Sequence, residues 1–265
     1  EAYKIAIHAE LAAQIAGRME GHEIMINSDG TVTIFDQGYL KAHKIVLNAN
    51  DLDISGRLRT QIIDVVTQHL SLQRSAYFKV DEKATLHAGV SALIQGLVES
   101  NGSIQISSDD LIIDSDMTAR TVEVVGKWTR IMADSNINAS EKIIVQGAIL
   151  NQIRGLLRTK QLNITGQVVE IGGASKDSVL EAELISVLSD RLEILHSAKL
   201  SAAEHAIFSA ANEAVIHGLV HSRNRLAFTG KKLTVSGAVS AKDLEIMVDS
   251  LSLVKNGQLI GLNQV

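Results

Sequence analysis

The 265-residue chain contains no cysteine and no proline. Without cysteine it can form no disulfide, no zinc–thiolate centre and no thiol nucleophile. Secreted proteins often carry disulfides, but long repetitive ones stabilised by their length do without them. At an average usage of about 5%, roughly a dozen prolines would be expected. Proline cannot donate to a strand ladder and is excluded from central strands. Helices exclude it from their interiors as well, yet usually admit it at first turns and in loops. Its complete absence therefore favours strands that have a neighbour on both sides. Aromatic residues are 3% of the chain, against 46% hydrophobic residues in all. Val, Ile, Leu and Ala must fill the core, which predicts a narrow interior with little room for rings.

The formal charge is −5 and the Lys and Arg residues are dispersed, which argues against nucleic acid as a partner. No apolar run reaches the ~20 residues of a membrane span, and no signal peptide is visible. The chain opens at Glu1, directly in the alternating run Tyr3-Lys-Ile-Ala-Ile7, as expected of a segment cut from something longer.

What the chain does contain is a repeat. Lys44-Ile-Val-Leu-Asn-Ala-Asn-Asp-Leu-Asp-Ile-Ser-Gly-Arg-Leu-Arg-Thr60 matches the style of two later stretches, Lys142 to Thr159 and Leu226 to Ala241. Each reads as a short alternating strand, a small or polar turn, a second alternating pair, a glycine, then apolar and small residues. Gly17, Gly38, Gly56, Gly96, Gly155, Gly218, Gly237 and Gly257 mark the register, about 18 to 21 residues apart or near multiples of that. Ala76, Ser115, Ser135, Asp177 and Ala198 fill the gaps. Alternation sends one set of side chains inward and the other to solvent. One coil of this length cannot bury its inward set alone, so coils stack into a continuous core. Glycine meets the backbone demands of a corner without a Cβ.

The predicted fold is all-β: a right-handed parallel β-helix with coils of about 20 residues, spanning 1–265 as a single repeat domain. The hand follows from the rule for parallel connections. About 13 coils would give a rod of roughly 60 Å. Asp177 to Leu192 and Ala202 to Leu219 are rich in helix formers, with an N-cap candidate at Asp177. Repeat phase runs through both, so both are read as strands. Gly172-Gly-Ala-Ser175 is expected to bulge out of its coil.

Three groups of residues offer candidate chemistry. His217 and His221 bracket Gly218, with His196 and His205 near in sequence. His196 and His217 are one coil apart, so they are placed to stack, and with Glu213 they present two imidazoles and a carboxylate for zinc. No third ligand has a recognisable spacing, and a solenoid repeats polar residues by simple periodicity, so the reading is a surface ladder. Asp109, Asp110, Asp114 and Asp116 share one coil, where carboxylates could hold calcium or cleave a glycoside. The glycine–aspartate nonapeptide of calcium rolls is missing, and Trp128 is the only tryptophan; the reading is a solvated acidic turn. Serine has no Gly-x-Ser-x-Gly elbow, and Gly172-Gly-Ala174 does not lead into a phosphate loop. The sequence therefore assigns no catalytic, cofactor-binding or metal-binding residue, and no enzyme is expected.

Ile45-Val-Leu-Asn-Ala-Asn-Asp-Leu-Asp-Ile-Ser-Gly-Arg-Leu58 resembles the hemagglutinin repeats of filamentous hemagglutinin. The positions that carry the resemblance are Leu47, Ala49, Leu52, Ile54, Gly56 and Leu58, recurring in part as Leu233, Val235, Gly237 and Val239. The large exoproteins of two-partner secretion share this style, among them the stick-like contact-dependent inhibition toxins. The resemblance covers most of the chain, by pattern and not by an invariant motif. It implies a β-helical shaft, exported by an outer-membrane transporter and displayed on or shed from the bacterial surface. There it would position adhesive or toxic regions against a receptor or glycan on a host or neighbouring cell. The secretion domain of that family carries Asn-Pro motifs and so is not in this chain. The expected function is a structural or adhesive shaft segment, with no cofactor and with a tendency to associate end to end through exposed strand edges. A β-helical polysaccharide lyase or hydrolase and a phage fibre segment are the alternatives.

Overall fold

The structure, a computed structural model, describes residues 2–173 and 177–262. Among them there is no helix; the strands pair in parallel as a β-solenoid of about 13 turns with roughly 20-residue spacing. The chain divides into two compact units, Glu1–Gly126 and Lys127–Val265. The first contains β1 (Ala2–Ala9), β2 (Ala12–Ile15), β3 (Arg18–Ser28), β4 (Thr31–Ile34), β5 (Tyr39–Lys41), β6 (Lys44–Asn48), β7 (Asp51–Ile54), β8 (Arg57–Leu72), β9 (Tyr77–Ile94), β10 (Leu97–Ser100) and β11 (Ser103–Ile113). The boundary falls inside β12 (Asp116–Ile131). The second contains β13 (Asn136–Ile153), β14 (Leu156–Ile171), β15 (Ser178–Ile194), β16 (Ala198–Ile216), β17 (Leu219–Val235), β18 (Ala238–Leu253) and β19 (Gln258–Gly261).

One coil of the first unit shows how sequence becomes shape. β8 is three short runs: Arg57–Arg59 pairs with β5, the middle run from Ile62 with β6, and His69–Leu72 with β7. Leu58, Thr60, Ile63, Val65, Thr67, Leu70 and Leu72 are buried, so alternation holds within each run and slips by one residue between runs. The pairing of β8 with β9 shifts register at the same two places, Thr60/Ile62 and Thr67/His69. These slips are the corners.

At each such corner one carbonyl takes two amides of the next coil, His43 those of Gln61 and Ile62 and Asn50 those of Gln68 and His69, and a buried hydroxyl beside it finds its own acceptor there. The Thr60 hydroxyl lies 2.9 Å from the His43 carbonyl and 2.8 Å from that of Ile62, with one proton to donate to either. Thr67 stands likewise 2.8 Å from the Asn50 carbonyl and 3.0 Å from that of His69. Ser222 repeats the device in the second unit, toward Glu204 and Arg225. Thr67→Val keeps the shape but removes the hydroxyl's bond, leaving the Asn50 carbonyl to the Gln68 and His69 amides, and is expected to cost about 0.5–1.5 kcal/mol in denaturant unfolding.

The glycine column is real and runs corner over corner. A Cβ on Gly56 would lie 2.5 Å from the Gly38 carbonyl oxygen, and one on Gly155 2.6 Å from that of Ser135. Those on Gly218 and Gly237 would meet the carbonyls of Ala198 and Gly218. One position needs correction. Ser178, not Asp177, occupies the column, because Ser178 pairs with Ala198 and the Val179 amide donates to the Gly155 carbonyl. The coil before it is longer than its neighbours, which moves the mark on by one residue. Gly172 adopts a φ of +108°, a turn conformation that favours glycine. The rest of the expected bulge, Ala174 and Ser175, lies outside the described residues. The two helix-rich stretches form strand, the first as β15 from Ser178 on and the second as β16 to Ile216 and the start of β17.

The core also departs from expectation. Phe78, Phe208 and Phe228 are among the largest fully buried side chains, and Phe208 stacks on Phe228 at 4.9 Å between ring centroids. Room for the rings comes from alanine. In β16 the buried set is Ala198, Leu200, Ala202, Ala206, Phe208, Ala210, Ala214 and Ile216. In β9, Phe78 shares its coil with Ala84, Ala88 and Ala92. Small inward neighbours thus offset each large ring while the composition of the core changes from coil to coil.

Candidate functional site

The histidine candidates separate. His196 and His217 lie one above the other on the same face, as expected, with ring centroids 4.9 Å apart and planes tilted by 31°. Glu213 faces away from zinc chemistry: it lies between Arg191 and Lys232 in the strand register and pairs with the Lys232 ammonium at 2.8 Å. That hydrogen bond and the positive charge hold its carboxyl below the ordinary carboxylate range. Lys232→Met is expected to return the Glu213 titration to that range in carboxyl-resolved NMR. The sign is that of a depressed acid. The pair's contribution is present above the ordinary carboxylate value and is lost as pH falls through the folded one.

His221 and His217 both turn to serine. Their Nδ1 atoms lie 2.9 Å and 2.6 Å from Ser240 and Ser236 of the following coil. His69–Ser91 and His87–Ser107 repeat the contact in the first unit, each at 2.8 Å. Among the described residues no carboxylate bonds any of these rings, so each pair is a ladder rung and not a relay. His205 is exposed and pairs with Leu184 and Arg225, apart from the His196–His217 pair. Among the described residues no group of three or more His, Asp or Glu is arranged to hold a metal ion.

The acidic candidates lie at separate places on their coil. Asp109 and Asp110 sit at the register shift after Ser108, whereas Asp114 and Asp116 flank the next corner beyond the apolar run Leu111–Ile113. The Asp114 carboxylate accepts from Arg74 Nη2 and Gln95 Nε2, both at 3.2 Å. Trp128 is 45% exposed.

The most distinctive surface is one that sequence reading missed. In the first unit, Arg18, Tyr39, Arg57, Tyr77 and Leu97 are successive partners across five coils, and Glu20, Lys41, Arg59, Lys79 and Glu99 form the parallel column two residues on. The residues between them, such as Leu40, Leu58 and Phe78, are buried, which turns both columns outward. The Arg18 guanidinium stands 5.3 Å from the centre of the Tyr39 ring, within cation–π range. The Tyr77 hydroxyl donates to the Glu99 carboxylate at 2.6 Å, and this bond raises the phenol's pKa above its ordinary value. Glu20 is bonded by Arg18. Lys41, Arg57, Arg59 and Lys79 form no ion pair among the described residues.

Beside the second column lies a groove of about 380 Å³, lined by Glu20, Lys41, His43, Arg59, Gln61 and Asp81 among others. Its corner carries a stack of rings, Tyr3 on His22 at 4.9 Å and His22 on His43 at 5.0 Å, with nearly parallel planes. The signal for this face was in the sequence, since all three tyrosines of the chain fall between Tyr3 and Tyr77. The coils there are unequal in length, however, so the column emerges only once the register is known.

These features define the chain as a parallel β-solenoid with a basic, tyrosine-bearing outer face. Comparisons with family models, curated proteins and solved structures gave no match to it.

Proposed function

We propose that the chain is a structural or adhesive shaft segment of a large secreted bacterial surface exoprotein of the filamentous hemagglutinin kind. The observation that carries this reading is coil-to-coil self-support: strands stack in parallel while their outward polar residues bond the next coil. Asn48 donates to Asn27 at 2.8 Å, Gln73 to Asp53 at 2.9 Å, and Arg158 pairs with Glu181 at 2.7 Å. Such a body holds its faces fixed and can display them along its length. In this reading an outer-membrane transporter exports the parent protein, and a receptor or glycan on a host or neighbouring cell is the target.

The test applies fluorescently labelled chain to bacterial and animal cells, and incubates it with a polysaccharide panel while new reducing and unsaturated ends are measured. The reading expects saturable retention on cells and no new chain ends. Chain-dependent release of ends would overturn it in favour of a lyase or hydrolase.

The same reading expects the 265-residue chain to self-associate. Among the described residues the register between β18 and β19 covers Ala238–Ala241, and Leu251 and Leu253 beyond are 46% and 53% exposed. Unpaired strand edges beside apolar side chains invite pairing. Sedimentation velocity should show concentration-dependent association that Leu251→Glu with Leu253→Glu suppresses. A monomer at all concentrations would contradict it.

A further inference from the structure

We infer that the outer face built from Arg18–Glu20, Tyr39–Lys41, Arg57–Arg59 and Tyr77–Lys79 binds an anionic polysaccharide. This takes the adhesive half of the proposed function and names its ligand class. Three properties of the face converge on that chemistry.

The first is charge. On a chain of net charge −5, this face gathers Arg18, Lys41, Arg57, Arg59 and Lys79, with Glu20 and Glu99 at its two ends. The middle four cations have no carboxylate partner among the described residues. They are exposed and hydrated, ready to exchange solvent for an anionic group. The guanidinium forks of Arg57 and Arg59 suit the paired oxygens of a carboxylate or sulfate.

The second is the aromatic component. Tyr39 and Tyr77 alternate with Arg18 and Arg57 in one column, half-buried so that they offer a fixed apolar surface between charges. A sugar ring is apolar on its C–H faces and polar at its rim, so it uses both. A simple polyanion uses only the cations.

The third is spacing. Successive coils stand about 4.8 Å apart, close to the length of one pyranose unit. A chain of acidic sugars lying along the columns therefore meets a new rung at each residue. The adjoining groove adds His43, Gln61 and Asp81, which can exchange hydrogen bonds with sugar hydroxyls. Duplex DNA, stiff and longer than the basic run, would extend past it over Glu20 and Glu99.

The experiment measures binding of the 265-residue chain to dextran sulfate, polygalacturonate, neutral dextran of matched length, inorganic polyphosphate and duplex DNA, across a salt series. Dextran sulfate or polygalacturonate should bind with salt-dependent affinity and neutral dextran should not. Which of the two binds more tightly separates sulfate from carboxylate recognition. Arg57→Ser with Arg59→Ser should weaken binding roughly tenfold, as two exposed charge contacts would. Lys160→Ser with Arg223→Ser, an equal charge change on exposed residues of the second unit, should leave it unchanged. Tyr39→Leu should weaken polysaccharide binding but not polyphosphate binding.

In the unaltered chain, dextran sulfate should protect Lys41 and Lys79 from acetylation while Lys160 stays reactive, a readout that needs no variant to fold. Equal weakening by both double variants, or no protection at Lys41 and Lys79, would overturn the assignment. So would polyphosphate and DNA binding as tightly as the polysaccharides with Tyr39→Leu without effect. Retention on cells that survives the loss of Arg57 and Arg59 would count against this face alone and leave the adhesive reading standing.

Discussion

Phe208→Ala is expected to lower the free energy of unfolding by about 3–5 kcal/mol, the upper range for deleting a buried ring. The size of the effect comes from its neighbours. Phe208 shares its coil with Ala202, Ala206 and Ala210 and lies in register between Val187 and Phe228. Alanines have no rotamers with which to close a cavity, and parallel strands locked above and below cannot collapse inward. The loss should therefore include nearly the whole cavity term. Phe208→Leu should cost less than half as much. Phe208→Ala with Phe228→Ala should cost less than the sum of the two, because each ring is the other's stacking partner at 4.9 Å. Urea midpoints of the parent, Phe208→Ala, Phe208→Leu, Phe228→Ala and the double variant, taken with their slopes, would measure this.

Gly237→Ala is expected to cost about 3 kcal/mol. The added Cβ would lie 2.0 Å from the Gly218 carbonyl oxygen and 2.5 Å from that of His217. Both atoms are backbone, so no side chain can move aside. Relief requires the two coils to part, at the expense of the Ala238 amide bond to the Gly218 carbonyl at 3.1 Å. Gly17 supplies the control, being a glycine of the same repeat whose added Cβ would meet nothing within 4 Å. Gly17→Ala should stay within about 0.5 kcal/mol of the parent. Thermal unfolding of the two variants side by side separates a stacked corner from a merely glycine-bearing one.

Much of this architecture is legible in the chain itself. Alternation, the absence of proline and the spaced glycines lead to a parallel solenoid, and the strand reading of Asp177 to Leu192 holds despite its helix-forming composition. What is harder to read is the phase. Each coil slips its alternation at two corners, as at Gln61–Ile62 and Gln68–His69, so inward positions cannot be counted straight through. The fully buried phenylalanines follow from the same difficulty. Their scarcity argued for a core without rings, whereas summing the inward volumes of each coil would have shown alanines making room. The approach of His196 to His217 was visible from their spacing. The column Arg18, Tyr39, Arg57, Tyr77 was not, because coils of unequal length scatter its members in sequence. Glu213 illustrates the opposite case: a carboxylate near histidines in sequence is committed to Lys232 one coil away.

Cysteine cross-linking tests the central claim most directly, and a chain with no cysteine gives it a clean background. Thr33 and Asp53 are partners in the first unit, and Ser186 and Ile207 in the second. Neighbours in parallel register lie about 4.8 Å apart, within the roughly 4.4–6.8 Å that a disulfide spans. Oxidation of Thr33→Cys with Asp53→Cys, and of Ser186→Cys with Ile207→Cys, should give intramolecular disulfides in high yield with the β-rich circular dichroism spectrum intact. Thr33→Cys with Lys44→Cys, on different faces, should stay reduced. Failure of both in-register pairs to close in folded protein, or closure of the mismatched pair as readily, would contradict the solenoid and the binding face built upon it.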